Sequence, residues 1–342
     1  MIPILFVFFL AISFFAFKID GLHSRYKKIL FLFFGAILMI YVAFRDGESV
    51  RDYKLYTTFF NNPETFIEPS FTFIAFIIKK YLYGDVILLF IIYAILGVGI
   101  KLKAITQLTP LFFLSLLVYL SNFLILHEMT QIRVGIASGI LLLCIKPVYE
   151  RKLTTFLLLC TVAVFFHYSA LILFPLWFIN GHKRRYLLLI LAMPVGLVIY
   201  FLNINLILNI PIPFLQDKIA IYQDWQKLGI KGLEKINVFN VLFLLRCGVY
   251  YLLLYKYQLL IKSSKYAIIL LKIYALSLFA LLVFSVMPVV AFRISELLGI
   301  VEIILLPMVY YLFKPSIFSK GIVFIVCLAV MVLNIFYNKY IF

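Results

Sequence analysis

The chain is expected to fold as an all-α transmembrane protein, a polytopic bundle of about twelve helical spans. Three observations predict this. First, of 342 residues, 65% are hydrophobic and only 13% are charged, and the mean hydropathy is +1.13. A soluble globular chain is about 45–50% apolar and about 25% charged. Second, several uninterrupted apolar runs approach the roughly 20 residues that a helical span needs. Third, Lys and Arg cluster at alternate junctions between these runs. This composition excludes a soluble domain, a disordered chain and a nucleic-acid-binding protein, despite a net charge of +17. The 18% aromatic content, mainly 37 Phe and 23 Tyr, suits lipid-facing surfaces and interfacial belts.

Taken in order, the first apolar run covers residues 2–17. It lacks a basic segment before it, and its basic cluster follows it, so it reads as a span entering from outside and not as a signal peptide. Further runs cover 29–44, 86–100, 111–126, 134–149, 153–166, 169–179, 187–202, 238–255, 267–287, 295–313 and 321–337. Residues 70–82 are also apolar, but Lys79 and Lys80 interrupt their end. This segment reads as a re-entrant or half-buried helix on the outer (periplasmic) side. No internal repeat, low-complexity linker or soluble domain boundary interrupts the chain, so residues 1–342 read as one membrane domain. Two outer segments are long, about 45–85 and 203–237.

Orientation follows from the excess of Lys and Arg in cytoplasmic loops. With the N-terminus outside, the inner junctions carry 17 basic residues, Lys101 among them, against two acidic ones, Asp20 and Glu150. That is +15 inside, against +2 outside. Counting 70–82 as a full crossing would invert every later loop, so the charge pattern selects the half-buried reading.

The four cysteines, Cys144, Cys160, Cys247 and Cys327, lie inside apolar runs without metal-ligand spacing and read as small packing residues. The chain has no phosphate-binding Gly-rich loop, no His-Glu-x-x-His and no Asp-x-Asp pair. No metal, cofactor or nucleotide-sugar donor is expected.

Polar residues gather instead at the outer ends of spans. Arg45, Asp46, Asp52, Tyr53 and Tyr56 follow the second span. Glu68 and Pro69 open the half-helix. His127, Glu128, Gln131 and Arg133 lie between the fourth and fifth spans, and His167 lies between the sixth and seventh. Arg293 and Glu296 lie between the tenth and eleventh. All five groups face the same side under the charge-derived topology. Arg suits phosphate oxygens through its bidentate fork. A carboxylate or His suits a general base, for which Asp52, Glu68 and His167 are alternatives. Headgroup anchoring by the arginines and helix capping by Asp52 and Glu68 are the plainer alternatives. Tyr53 and Tyr56 suit sugar faces, and Glu296 is placed to orient Arg293. Two charges lie deeper, Arg246 and Glu302, each nine residues below the outer end of its span. At 1.5 Å per residue both sit about 13 Å deep, where an unpaired charge is costly, so they are expected to pair.

These residues form an ordered series. It runs through Phe44-Arg45-Asp46, Asp52-Tyr53-x-x-Tyr56, Glu68-Pro69, Ile132-Arg133-x-x-Ile136-Ala137, Phe166-His167-Tyr168-Ser169-Ala170, and Arg293-x-Ser295-Glu296 with Pro307 beyond. The series resembles the EpsG-like, Wzy-type family of polysaccharide polymerases. Where such proteins often carry Gly two residues before the Asp, this chain has Val50. The resemblance implies a GT-C-like glycosyltransferase in the bacterial inner membrane with its site facing the periplasm. It would extend O-antigen, capsule or exopolysaccharide chains on undecaprenyl-diphosphate-linked oligosaccharides, and a chain-length regulator is a candidate partner. Arg45, Arg133 and Arg293 would hold diphosphate. A transporter or flippase of lipid-linked sugars, and a membrane sugar acyltransferase, are the competing readings.

Overall fold

In the computed structural model, residues 1–20, 25–62, 68–181, 185–204, 224, 228 and 235–341 are described. Most of the expected outer segment 203–237 lies outside them. The described residues are almost entirely helical, with one isolated bridge between Val50 and Ile341. Within a bilayer a helix satisfies every backbone group internally, and the apolar runs leave no alternative.

The first two helices are α1 (Ile2–Ile19) and α2 (Arg25–Ala43). Two short helices, α3 (Tyr53–Asn61) and α4 (Pro69–Tyr81), follow. α5 (Val86–Leu108) crosses next. α6 (Phe112–Val118) continues as a π-helix over Tyr119–Thr130, and α7 (Ile132–Glu150) follows after one residue. α8 (Leu153–Phe166) leads into a 3-10 helix over Tyr168–Phe178. The remaining helices are α9 (Tyr186–Phe201), α10 (Val241–Tyr255), α11 (Tyr257–Ser263), α12 (Ala267–Val283), α13 (Pro288–Gly299), α14 (Glu302–Leu305) and α15 (Ser316–Val332).

Among the described residues, six helices are long and apolar enough to cross a membrane, and five further apolar helices are shorter. The expected run 295–313 is not one helix. It breaks between Gly299 and Glu302 and tightens into a 3-10 helix at Leu306–Tyr311, where Pro307 removes a backbone donor. The run 169–179 is likewise a 3-10 helix containing Pro175. At a rise of about 2.0 Å per residue, such a segment reaches further than an α-helix of equal length.

The layers follow from burial. The segment Phe112–Thr130 is 94% buried and Ile132–Glu150 is 78% buried, whereas α1 is 28% and α15 33%. The central hairpin therefore sits inside a ring of helices whose outward side chains, such as Val7, Leu10 and Phe14 on α1, are exposed. Toward lipid, that exposure carries no hydrophobic cost. α4, at 13 residues, reaches only about 20 Å, short of the ~30 Å hydrocarbon core. It packs through Phe71 on Tyr56 and Tyr93, which matches the half-buried reading of 70–82.

Two ends of the bundle are distinct. At one, the Tyr41 hydroxyl donates to Met1 O at 3.1 Å, and Arg51 N–H donates to Tyr340 O at 3.4 Å beside the Val50–Ile341 bridge. At the other, Lys27 pairs with Asp20 at 3.0 Å, and Lys320 donates to Phe17 O and Asp20 O at 2.8 and 2.7 Å. Met1 and Tyr340 thus lie at the same end as residues 41–51.

Lys101 departs from expectation. It is not in an inner loop but wholly buried within α5, where it pairs with Glu128. A single Lys near the end of an apolar run looks like a loop boundary in sequence. Here α5 runs on to Leu108, and its buried neighbour carries the opposite charge.

Candidate active site

The site is organised by a one-residue break. Gln131 has φ −94° and ψ 58°, which ends the π-helix and lets α7 begin at Ile132. Three groups beside this break reach three separate segments. Met129 O accepts from Arg45 Nη1 at 2.8 Å. Gln131 Nε2 donates to Glu296 Oε2 at 3.3 Å. Arg133 Nη1 donates to Glu68 Oε2.

Glu68 accepts a second bond on its other oxygen, Oε1, from His167 Nδ1 at 2.5 Å. Local geometry explains the meeting. His167 ends α8 with extended backbone, φ −157° and ψ 126°, which swings its ring off the helix. Glu68 precedes α4, where Pro69 occupies the first turn, and its side chain makes no cap hydrogen bond. The capping role is therefore not realised at Glu68, nor at Asp52, whose side chain also caps nothing.

Electrostatics separates the two carboxylate candidates, Glu68 and Asp52. Burial alone pushes the Glu68 carboxyl up. The His167 hydrogen bond and the Arg133 charge outweigh burial and hold it below the ordinary carboxylate range. Glu68 is thus an ionised acceptor, and an ionised carboxylate can only accept. Nδ1 therefore carries its proton, and in the neutral ring Nε2 keeps a lone pair. Asp52 goes the other way, because burial raises its carboxyl against the nearby Arg51 and Arg133 charges.

The three arginines also differ. Arg133 is neutralised by Glu68, and its guanidinium lies over the rings of Tyr56 and Phe59 at 5.6 and 5.8 Å. Arg45 is 6% exposed and donates only to backbone oxygens, Val42 O at 3.0 Å and Met129 O, with the Phe90 ring 4.6 Å away. Among the described residues no carboxylate touches it, although Glu128 acts on it from a distance, and its Nη2 has no hydrogen-bond partner. Arg293 is exposed on α13 and acts on Glu296 electrostatically. Glu296 itself accepts from Gln131 through Oε2, and no direct contact joins it to Arg293 among the described residues.

Five buried polar atoms of this cluster lack a hydrogen-bond partner among the described residues: Arg45 Nη2, Gln131 Oε1, Arg133 Nε, His167 Nε2 and Ser169 Oγ. Buried polar atoms are otherwise nearly always satisfied. Other such atoms lie elsewhere, His127 Nε2 and Ser115 Oγ among them, so those beside the Arg133–Glu68–His167 triad are groups able to meet a polar ligand. Tyr56 is buried between Phe71 and Phe90, so it supports Arg133 from beneath instead of offering an open sugar platform. Tyr53 lies against Phe90 at 4.7 Å. No group of three or more His, Cys, Asp or Glu able to hold a metal occurs among the described residues.

Arg246 and Glu302 do meet, Nε to Oε1 at 2.8 Å. They line a cleft shared with Asn122, Tyr274 and Cys327. Sequence reasoning missed two features. Lys101 was assigned to a loop. Tyr340 was assigned nothing, yet its carbonyl holds Arg51 beside Asp52. For Tyr340 no local signal exists, because the contact joins opposite ends of the chain.

No curated protein and no solved structure matches this sequence. The family model described as the EpsG family matches residues 28–341, nearly the whole length, and the chain therefore belongs to the EpsG family.

Proposed function

We propose that the protein is a membrane polysaccharide polymerase that lengthens a glycan carried on a lipid diphosphate. EpsG membership supports a Wzy-type polymerase. The observation that carries the chemistry is the Arg133–Glu68–His167 chain of contacts. His167 Nε2 takes the proton of an acceptor sugar hydroxyl as that oxygen attacks the anomeric carbon of the donor glycan. The bond from that carbon to the lipid diphosphate breaks, and its electron pair leaves with the diphosphate. Glu68 fixes the ring through Nδ1–H and stabilises the imidazolium that forms. Arg133 holds Glu68 in place. Arg45, buried and without a carboxylate partner, stabilises the departing diphosphate, and Arg293 at the exposed edge assists. Such preorganised charge is usually the largest single contribution to catalysis. The donor already carries its leaving group, so no nucleotide is required.

The substrates follow from this reading: undecaprenyl-diphosphate-linked oligosaccharide repeat units presented at the periplasmic face of the inner membrane. A His–carboxylate pair would also serve acyl transfer, but a buried guanidinium without a counter-charge favours phosphate. The test is to incubate the purified protein in liposomes with lipid-linked repeat units. Longer glycans support the polymerase. Acylated units of unchanged length, or units merely moved across the bilayer, would replace it with one of the other two readings.

A further inference from the structure

Lys101 and Glu128 take no part in the chemistry above, yet both are almost completely buried. Lys101 Nζ donates to Glu128 Oε1 and to Gly135 O, the latter at 2.6 Å. Glu128 precedes the Gln131 break and Gly135 follows it, so one ammonium group clamps both sides of the turn. The carboxylate enters a slot left by two glycines. A Cβ on Gly97 of α5 would fall 2.0 Å from Glu128 Oε2, and one on Gly135 of α7 would fall 2.9 Å from it. A buried ion pair is weak evidence for stability, since apolar replacements often do as well, so this slot calls for another role. Glu128 also lies on the π-helix, a rare conformation that is frequent at functional sites. The next residue, Met129, holds Arg45, and Gln131 and Arg133 come directly after.

We propose that Lys101 and Glu128 are positioning residues, an internal brace that fixes residues 129–133 and through them Arg45, Glu296 and Glu68. The brace itself stands on geometry, and its link to turnover rests on the polymerase function proposed above. The test compares Glu128→Gln, Gly97→Ala and the neutral pair Lys101→Met/Glu128→Gln with wild type. Three quantities are measured: amide hydrogen exchange over residues 126–135, the thermal midpoint, and kcat and KM for glycan extension. Gly97→Ala alters no charge and would ordinarily favour a helix, so a loss there reports displacement of the carboxylate. The expected result is faster exchange over 126–135 in all three. With it comes a kcat loss of about 100-fold, the scale of a 1 Å misplacement, while KM is little changed. The neutral pair regains the thermal midpoint without regaining kcat. Unchanged exchange in Gly97→Ala and the neutral pair, or a kcat that returns with the midpoint, overturns the brace. These two variants decide the matter if Glu128→Gln alone does not fold. Wild-type protein that extends no glycan while the variants still loosen 126–135 defeats the polymerase reading and leaves the brace intact.

Discussion

The Glu68 carboxylate accepts a hydrogen bond from His167 Nδ1 at 2.5 Å across 99 residues of chain. On the proposed polymerase reading, this contact favours His167 as the base and Glu68 as its orienting carboxylate. Asp52, half-buried, makes no ion pair or side-chain hydrogen bond among the described residues. A positioned base contributes about 10²- to 10⁴-fold. His167→Ala is therefore expected to lower kcat by that factor at normal protein level, whereas Asp52→Asn stays near wild type. Steady-state kinetics of glycan extension on the two purified variants checks this.

The depressed Glu68 carboxyl predicts an acid-labile site. A carboxylate whose folded pKa lies below its unfolded value, about 4.3 for Glu, adds stability that is fully present above the unfolded value. That stability is lost as pH falls through the folded one. The thermal midpoint in detergent should thus drop as pH falls below about 4. Glu68→Gln should start lower and show a shallower fall. An equally steep fall in the variant would assign the acid lability elsewhere. Asp52, with its raised carboxyl, works in the opposite direction and offsets part of the fall in wild type and variant alike, so the difference between the two reports Glu68.

Arg45 tests the leaving-group role. Among the described residues its guanidinium is held by Val42 O and Met129 O and touches no carboxylate, so on the proposed reading its charge is free to meet the diphosphate. Losing one such electrostatic donor costs on the order of 2.7–4 kcal/mol, about 10²- to 10³-fold in kcat. Arg45→Ala should show that loss, and Arg45→Lys should recover only part of it, because the planar fork is gone. A strain complemented by each variant, read as polymer length on a gel at matched protein level, measures both.

Arg246 and Glu302 are expected to matter for stability. Removing one partner of a buried pair costs about 3–5 kcal/mol. Glu302→Gln and Arg246→Gln should each lower the thermal midpoint, and the double variant should lose less than the sum. Strict additivity would show the two sites to be uncoupled despite the 2.8 Å contact.

What could be read before the structure was depth and order. Arg246 and Glu302 could be matched because each lies nine residues from the expected outer end of its apolar run, and they do meet, although α10 starts only at Val241 and Glu302 opens α14. Arg45, Arg133, Glu68 and His167 stood out as polar residues closing apolar runs, and the bundle does join their segments. Partner choice was not legible. Glu68 looked as free as Asp52 until Arg133 and His167 were seen on its two oxygens. Lys101 read as a loop because periodicity carries no information about a Glu on another helix. Nor does composition announce that Pro307 and Gly299 break the eleventh run into short helices.

The most direct test of the central claim is glycan extension by purified protein in liposomes, supplied with one lipid-linked repeat unit and read as a ladder on a gel. Wild type should produce a ladder. His167→Ala and Arg45→Ala should leave the unit unextended while folding normally. The Arg246→Gln/Glu302→Gln double variant should retain the ladder at a temperature where it is folded. A wild-type ladder from both His167→Ala and Arg45→Ala would contradict the account and place the chemistry away from the Glu68–His167 cluster.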